Sequence, residues 1–311
     1  MLMLLAGLGL LFAGHSSAQT FTVLHTFKIS EGESPNGLLL SGNTLYGTGL
    51  NGGTNGSGTV FKANTDGTGF TNLHTFAVVS SGIINGHSYN TNSDGENPGR
   101  LLLSGNTLYG AATMGGTNGS GTVFSINTDG TGFTNLYNFS ILTHSTNSDG
   151  ASPDGGELTI SGNTLYGTAL LGGANDNGTV FKINTDGTGF TNLYTFSAGT
   201  GSGLDIGNND GARPNGTLTL SGNTLYGTTT TGGNNGAGVL FQVNTDGSGF
   251  MNFYSFTGGY DGSLPVGLLL LSGITLYGAT LNGGTNGTGT LFAINTDGSE
   301  FMNLYAFSAG K

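Results

Sequence analysis

The chain contains no cysteine and no tryptophan. Without thiols there is no disulfide, no thiolate nucleophile and no Cys-ligated zinc, so the fold must hold by packing and backbone pairing. Charge is scarce as well: Asp, Glu, Lys and Arg make up 7% of 311 residues. Long amphipathic helices need charged faces and strong helix formers, and this composition supplies few of either. Positive charge is rarest, with six Lys and Arg against 17 Asp and Glu, a formal net charge of -11. Six scattered cations build no basic patch, which argues against nucleic acid and anionic lipid as partners. After the N-terminus no run is long and apolar enough to cross a bilayer as a helix.

What the chain has is glycine, 62 residues of it. Glycine without a period would indicate low complexity. Here it recurs at fixed places among Leu, Val, Phe and Tyr, so it reads as turn chemistry. Residues 1–18 read as a secretory signal peptide. The apolar run Leu2 to Ala13 is too short for a membrane helix, and Ser16 and Ala18 precede a plausible cut at Gln19. Residues 19–311 are then expected to form one secreted domain, outside the cell or on its envelope.

Self-similarity dominates the rest. The segment SGNTLYG begins at Ser41, Ser104, Ser161 and Ser221, and returns as SGITLYG at Ser272. Each copy leads to a Gly-Gly pair, a GTVF-like strand, an NTDG turn and a segment like FTNLYTF. Five units result: Pro35–Phe76, Pro98–Phe139, Pro153–Phe196, Pro214–Phe256 and Pro265–Phe307, of 42, 42, 44, 43 and 43 residues. The links ahead of them vary far more, at 7, 21, 13, 17 and 8 residues counted from Phe27. A constant body on variable links is the mark of stacked supersecondary units.

Within a unit four strands, a to d, are expected. In the first they fall at Leu38–Leu40, Thr44–Thr48, Thr59–Ala63 and Phe70–Phe76. The Gly42-Asn43 pair joins a to b, with positive φ expected at both residues. Thr65–Gly69 joins c to d. Four-stranded antiparallel units repeated radially give a β-propeller, and blades packed on both faces explain the near-continuous apolar strands. The expected fold is all-β, a five-bladed propeller of four-stranded antiparallel blades. A β-solenoid, or part of a larger propeller, is the alternative. Phe21–Phe27 (FTVLHTF) is a further copy of strand d and is expected to close the ring beside the last blade. The last unit already carries its own strand d, Phe301–Phe307, so one copy is surplus.

The pattern LYGT…GG…GTVF…DG resembles the GloVer tandem repeat of secreted bacterial proteins described as "choice-of-anchor". The resemblance covers about residues 21–307, five times over. It implies an extracellular, propeller-like protein and carries no catalytic residue with it.

Nine carboxylates belong to the repeat. Asp66, Asp129, Asp186, Asp246 and Asp297 sit in the NTDG turns and are expected to hold them by accepting backbone N–H bonds. Asp94, Asp149, Asp210 and Asp261 sit in Asp-Gly pairs ahead of each Pro. They read as Asx-type turns, with calcium ligation as the alternative. No other cofactor is expected. His25 and His74 fill a slot held elsewhere by Tyr137, Tyr194, Tyr254 and Tyr305, and are expected in the core.

In a meander the a–b and c–d turns share one face of the propeller; the b–c loops and d–a links share the other. Only the second face varies, and loops on a rigid scaffold are where binding concentrates. The candidate ligand-binding residues are therefore His87, Tyr89, Arg100, His144, Glu157, Asp176, Arg213 and Tyr260, with Glu96, Asp154 and Asp205 nearby. Three readings stand. One is a non-catalytic module recognising a glycan or cell-surface protein. Another is a structural spacer of the envelope. The third is a polysaccharide hydrolase or lyase, for which Asp154 and Glu157 would be the carboxylates, though near neighbours make a poor acid–base pair. The sequence holds no GxSxG, HExxH or P-loop motif. A monomer is expected.

Overall fold

The first unit shows how the repeat folds. Its strands β1 (Glu33–Ser41), β2 (Thr44–Asn51), β3 (Thr59–Asn64) and β4 (Thr71–Thr75) form one antiparallel sheet in that order. Thr, Val and Phe in β3 suit a buried pleated surface, and Val60 and Phe61 are fully or nearly fully buried. The turn after β1 differs from expectation. Gly42 has φ of 58°, while Asn43 is not among the positive-φ residues. Positive φ at the first central residue only is the II′ pattern, not I′. Gly47 in β2 faces Phe61 across the ladder, and a Cβ there would strike the Phe61 ring. Its counterparts Gly110, Gly167, Gly227 and Gly278 meet Phe124, Phe181, Phe241 and Phe292 in the same way. The glycine of LYG is thus the seat of the phenylalanine of GTVF.

The structure is a computed structural model and describes residues 22–84, 87–153, 156–199 and 207–308. The expected signal peptide lies outside these. Apart from one 3-10 turn at Ile29–Glu31, the regular structure of the described residues is all β, in six sheets. Five come from the repeat units. In units 2, 3 and 4 the first strand is broken in two, as Glu96–Pro98 and Leu102–Ser104, Ala151–Pro153 and Thr159–Ser161, and Asn208–Pro214 and Thr219–Ser221. Units 1 and 5 keep it whole with a register shift. The strand begins earlier than expected because its proline is tolerated there: strand a is a sheet edge and needs no donor on its outer side. The sixth sheet was not anticipated. It is a hairpin inside the 21-residue second link, formed by β5 (Ser80–Ile84) and β6 (His87–Thr91).

Consecutive units pack face to face. Four apolar clusters lie between units 1 and 2, 2 and 3, 3 and 4, and 4 and 5. Each junction repeats one set of contacts. The strand d rings of His74, Tyr137, Tyr194 and Tyr254 lie flat on Phe133, Phe190, Phe250 and Phe301 of the next unit, at centroid distances of 3.7, 3.7, 3.4 and 4.4 Å. The residue before each proline adopts positive φ. Its N–H donates to a loop carbonyl of the preceding unit: Asn97 to Ser57, Ser152 to Ser120, Arg213 to Asn177 and Leu264 to Ala237, at 3.1, 2.8, 2.9 and 3.0 Å. The histidines expected in the core are only half-buried: their rings stack on Phe133 (His74) and Phe70 (His25), but their polar edges turn to the link carboxylates Asp94 and Glu31.

No such cluster joins unit 5 to unit 1 among the described residues, and the outer faces of both are open. Leu38 is 63% exposed, against 5% for its counterpart Leu101. The segment expected to close the ring does not do so. Residues 22–28 form no strand and pack on unit 1. The place they were to take, beside Thr290–Asn295 of the last unit, is held by Met302–Ala306.

Candidate functional site

The starts of the five first strands converge. Asn36, Arg100, Gly156, Asn215 and Gly267, one from each unit, line a single cleft of about 200 Å³. A second cleft of about 260 Å³ shares Arg100 and adds Leu38, Leu101 and Glu157. The repeat explains why these side chains arrive together. The residue just ahead of the strand a leucine is Gly37, Arg100, Glu157, Thr217 and Leu268 in the five units, and every one lines these clefts. The leucine that follows is sealed between units in four cases, at Leu101, Leu158, Leu218 and Leu269. This fixes the backbone from which the preceding side chain projects.

Arg100 is exposed and its chain lies over Gly37. Glu157 is half-buried, and its N–H donates to Thr217 Oγ1 at 2.9 Å. Burial pushes the Glu157 carboxyl above its usual range, and the Arg100 charge opposes this with the smaller effect. Between them the two residues offer a cation and a carboxyl at one mouth. Asp154, the second carboxylate weighed for glycoside chemistry, lies outside the described residues. Glu157 stands at the convergence of the strands, not on the outer rim.

The other candidates are spread over four links and one loop. His87 lies in β6. The Tyr89 hydroxyl donates to the Leu142 carbonyl and so ties the second link to the third. His144 sits in the third link with φ of 53°. Asp176 braces its own loop, accepting the Gly172 N–H at 3.1 Å. Arg213 is the positive-φ residue of the fourth link. Tyr260 is exposed, and its carbonyl accepts Asn303 Nδ2 at 2.7 Å. Glu96 is half-buried, which raises its carboxyl above the usual range. Asp205 lies outside the described residues.

The repeated carboxylates have other duties. In each NTDG turn the Asp accepts two bonds from the residue two positions on. Asp66 takes the Thr68 N–H at 2.9 Å and its Oγ1 at 2.7 Å. Asp129, Asp186, Asp246 and Asp297 repeat the pattern with Thr131, Thr188, Ser248 and Ser299. The hydroxyl bond, then the backbone bond, holds each of these carboxyls below its usual range. In the links, Asp149 accepts Tyr137 Oη at 2.7 Å and the Ser140 N–H at 2.9 Å. Asp210 takes Tyr194 Oη at 2.6 Å and the Ser197 N–H at 2.8 Å. Asp261 takes Tyr254 Oη at 3.1 Å and the Thr257 N–H at 2.9 Å. Asp94 pairs with His74 Nε2 at 2.8 Å and takes the Ala77 N–H at 2.9 Å. Oxygens bonded to donors are poorly placed to ligate a cation, whereas Asp149 Oδ1 is buried without a hydrogen-bond partner. Among the described residues no three His, Asp or Glu cluster as a metal site would need. Sequence reasoning missed the fifth member of this set. Glu31 binds His25 Nε2 at 3.1 Å and the Lys28 N–H at 3.0 Å. The signal was there, since Glu31-Gly32 stands four residues before Pro35 as Asp94-Gly95 stands before Pro98.

A family model described as the Gloeobacter/Verrucomicrobia repeat matches residues 5–205 and 204–311. The chain belongs to this repeat family. No curated protein matches it. Among solved structures, a chain of a nidogen/laminin complex is similar at 16% identity and a TM-score of 0.52, over 88% of this chain and 80% of that one. TolB from Acinetobacter baumannii aligns at 14% identity and a TM-score of 0.48, over 84% of this chain and 51% of that one. At such identities a likeness concerns the fold alone; that to the nidogen/laminin chain is of the β-propeller type, which the radial convergence of the repeat units also indicates. Among the described residues no helix is long and apolar enough to cross a membrane.

Proposed function

We propose that this member of the repeat family is a secreted, non-catalytic binding module, an open propeller of five blades that takes a polar ligand at the mouth where the first strands converge. A glycan is the ligand class favoured. Its hydroxyls suit a shallow cleft that offers the Arg100 guanidinium, the Glu157 carboxyl and the side chains of Asn36 and Asn215. One observation carries the reading. The five units repeat their turn, stack and core residues, yet the position aimed into the clefts holds Gly37, Arg100, Glu157, Thr217 and Leu268. A position that varies from unit to unit while the scaffold around it repeats is what a recognition site requires. Secretion is supported by the apolar run Leu2 to Ala13 and the small residues after it.

The test is a glycan panel probed with the wild-type protein and with Arg100→Ala and Glu157→Gln, all verified as folded by circular dichroism. The expected outcome is binding to a subset of glycans, weakened by about tenfold or more in at least one variant, as loss of a charge-assisted hydrogen bond implies. Indifference of the folded wild type to the whole panel, or binding that ignores both substitutions, would sink the proposal.

A further inference from the structure

The outer face of unit 1 carries a segment that belongs to no sheet. Residues 22–27 match strand d of the repeat in sequence, and they also sit where a strand d of a preceding unit would sit. The His25 ring lies flat on Phe70 at 4.0 Å and 2°, as His74 lies on Phe133 at 3.7 Å and 7°. The Phe27 ring meets Phe61 at 5.0 Å, as Phe76 meets Phe124 at 5.4 Å. The Leu24 backbone rests against Gly67, as the Leu73 backbone rests against Gly130. The Glu31 carboxylate receives both the His25 ring and the Lys28 N–H, the two bonds that Asp94 makes to His74 and Ala77. Every anchor that strand d supplies to an inner junction is therefore present. What is missing is the strand c that should run beside it, since residues 22–27 pair with no strand.

Across the opening, unit 5 is the other half of such a junction. Phe307 is 43% exposed where its counterpart Phe139 is fully buried. Tyr277 and Leu291 are exposed where Tyr109 and Val123 are buried. At the axis, Gly156 packs on the Gly216 backbone and Gly216 on that of Gly267, and the series stops there. The two open faces continue the four established interfaces and offer the same apolar chemistry.

We propose that this opening receives one further segment of the same repeat type, carrying strands a, b and c but no strand d of its own. Its strand c pairs with residues 22–27, and its two apolar faces seal unit 5 on one side and unit 1 on the other. The occupied strand d seat selects this partner. A complete unit, including unit 5 of a second copy, brings its own strand d and collides with residues 22–27. This inference does not depend on the ligand proposed for the axial clefts.

The experiment is hydrogen exchange on the full chain in two formats. In one, a synthetic polypeptide of the sequence Pro265–Asn295 is added in trans. In the other, the same sequence is appended after Lys311 through a copy of the link 197–213, which raises its effective concentration and removes dependence on the free peptide's folding. In the unmodified chain, amides 22–27 should exchange fast and amides 302–306 slowly. With the segment present, exchange at 22–27 should slow by about tenfold or more, as unpaired strand amides do when they enter a ladder, with 302–306 unchanged. Phe292→Asp in the appended copy should abolish the slowing. Unchanged exchange at 22–27 in both formats overturns the proposal. So does slow exchange at 22–27 in the unmodified monomer with loss of protection at 302–306, which would mean that unit 5 closes the ring itself. Protection at 22–27 that appears only with dimer formation, followed by sedimentation, overturns it in favour of a second copy.

Discussion

Phe139 and Phe307 hold the same place in the repeat, but the first is fully buried and the second is 43% exposed. The same contrast separates Leu101 from Leu38 and Val123 from Leu291. The inner junctions and the end faces are built from one sequence pattern. The pattern makes each face sticky; only a neighbour makes it core. Apolar burial stabilises in proportion to area removed from water, so equal residues carry unequal weight.

The most forceful way to break this comparison is to truncate both members of a pair. Phe139→Ala should destabilise by about 3–5 kcal/mol, the range for a buried ring. Phe307→Ala should cost less than about 1 kcal/mol, as exposed positions do. Urea denaturation of the two variants measures both, and equal losses would mean that the end faces are sealed in solution. A smaller contrast lies in the link carboxylates. Asp210→Ala leaves Tyr194 Oη and the Ser197 N–H without their acceptor and should cost about 1–3 kcal/mol. Glu31→Ala removes the equivalent bonds at the open face and should cost clearly less in the same assay.

The pH dependence sharpens the comparison between faces. The NTDG aspartates are held below their usual range, so their contribution is present above the unfolded carboxylate value and is lost as pH falls through the folded one. Glu157 is held above its usual range, so its contribution is present in acid and is lost as pH rises through the folded value. Thermal melts of Glu157→Gln should therefore show a gain over wild type at neutral pH that disappears in acid. A gain that persists in acid would show that the effect is steric. The smallest effect expected is that of calcium. With the link aspartates already bonded to donors, melting with calcium or with chelator should give the same Tm. A clear rise with calcium would turn those carboxylates into ligands, because only a species that prefers the native state shifts the midpoint.

Much of the fold was legible. SGNTLYG, GTVF and NTDG announced strands and turns because their chemistry is local. Glycine in the left-handed region, β-branched runs and Asx turns act within a few residues. The turn role of Asp66 and its equivalents followed from the same repetition, whereas His74, expected in the core, is half-buried at the edge of its junction. Other features were within reach but passed over. Asn85-Gly86 between Ile84 and His87 is a hairpin signal inside a link that was read only for its length. Glu31 stands in for the link aspartates, but a search for Asp-Gly does not find it. At the site, Arg100 and Glu157 were two names among eight, and no pattern in the sequence marks them as neighbours 57 positions apart.

The sequence by itself determined the unit: four strands, their order, the turn residues, and an interface complementary to another copy of itself. The tertiary structure decided how many such interfaces are made. Whether a ring closes depends on the angle each packed pair of sheets adopts, and that angle, set by ring stacks and glycine contacts between units, accumulates over the whole array. No single repeat encodes the sum. The same accumulation brings five strand starts to one mouth, placing Arg100 beside Glu157 and leaving residues 22–27 without a strand to pair with.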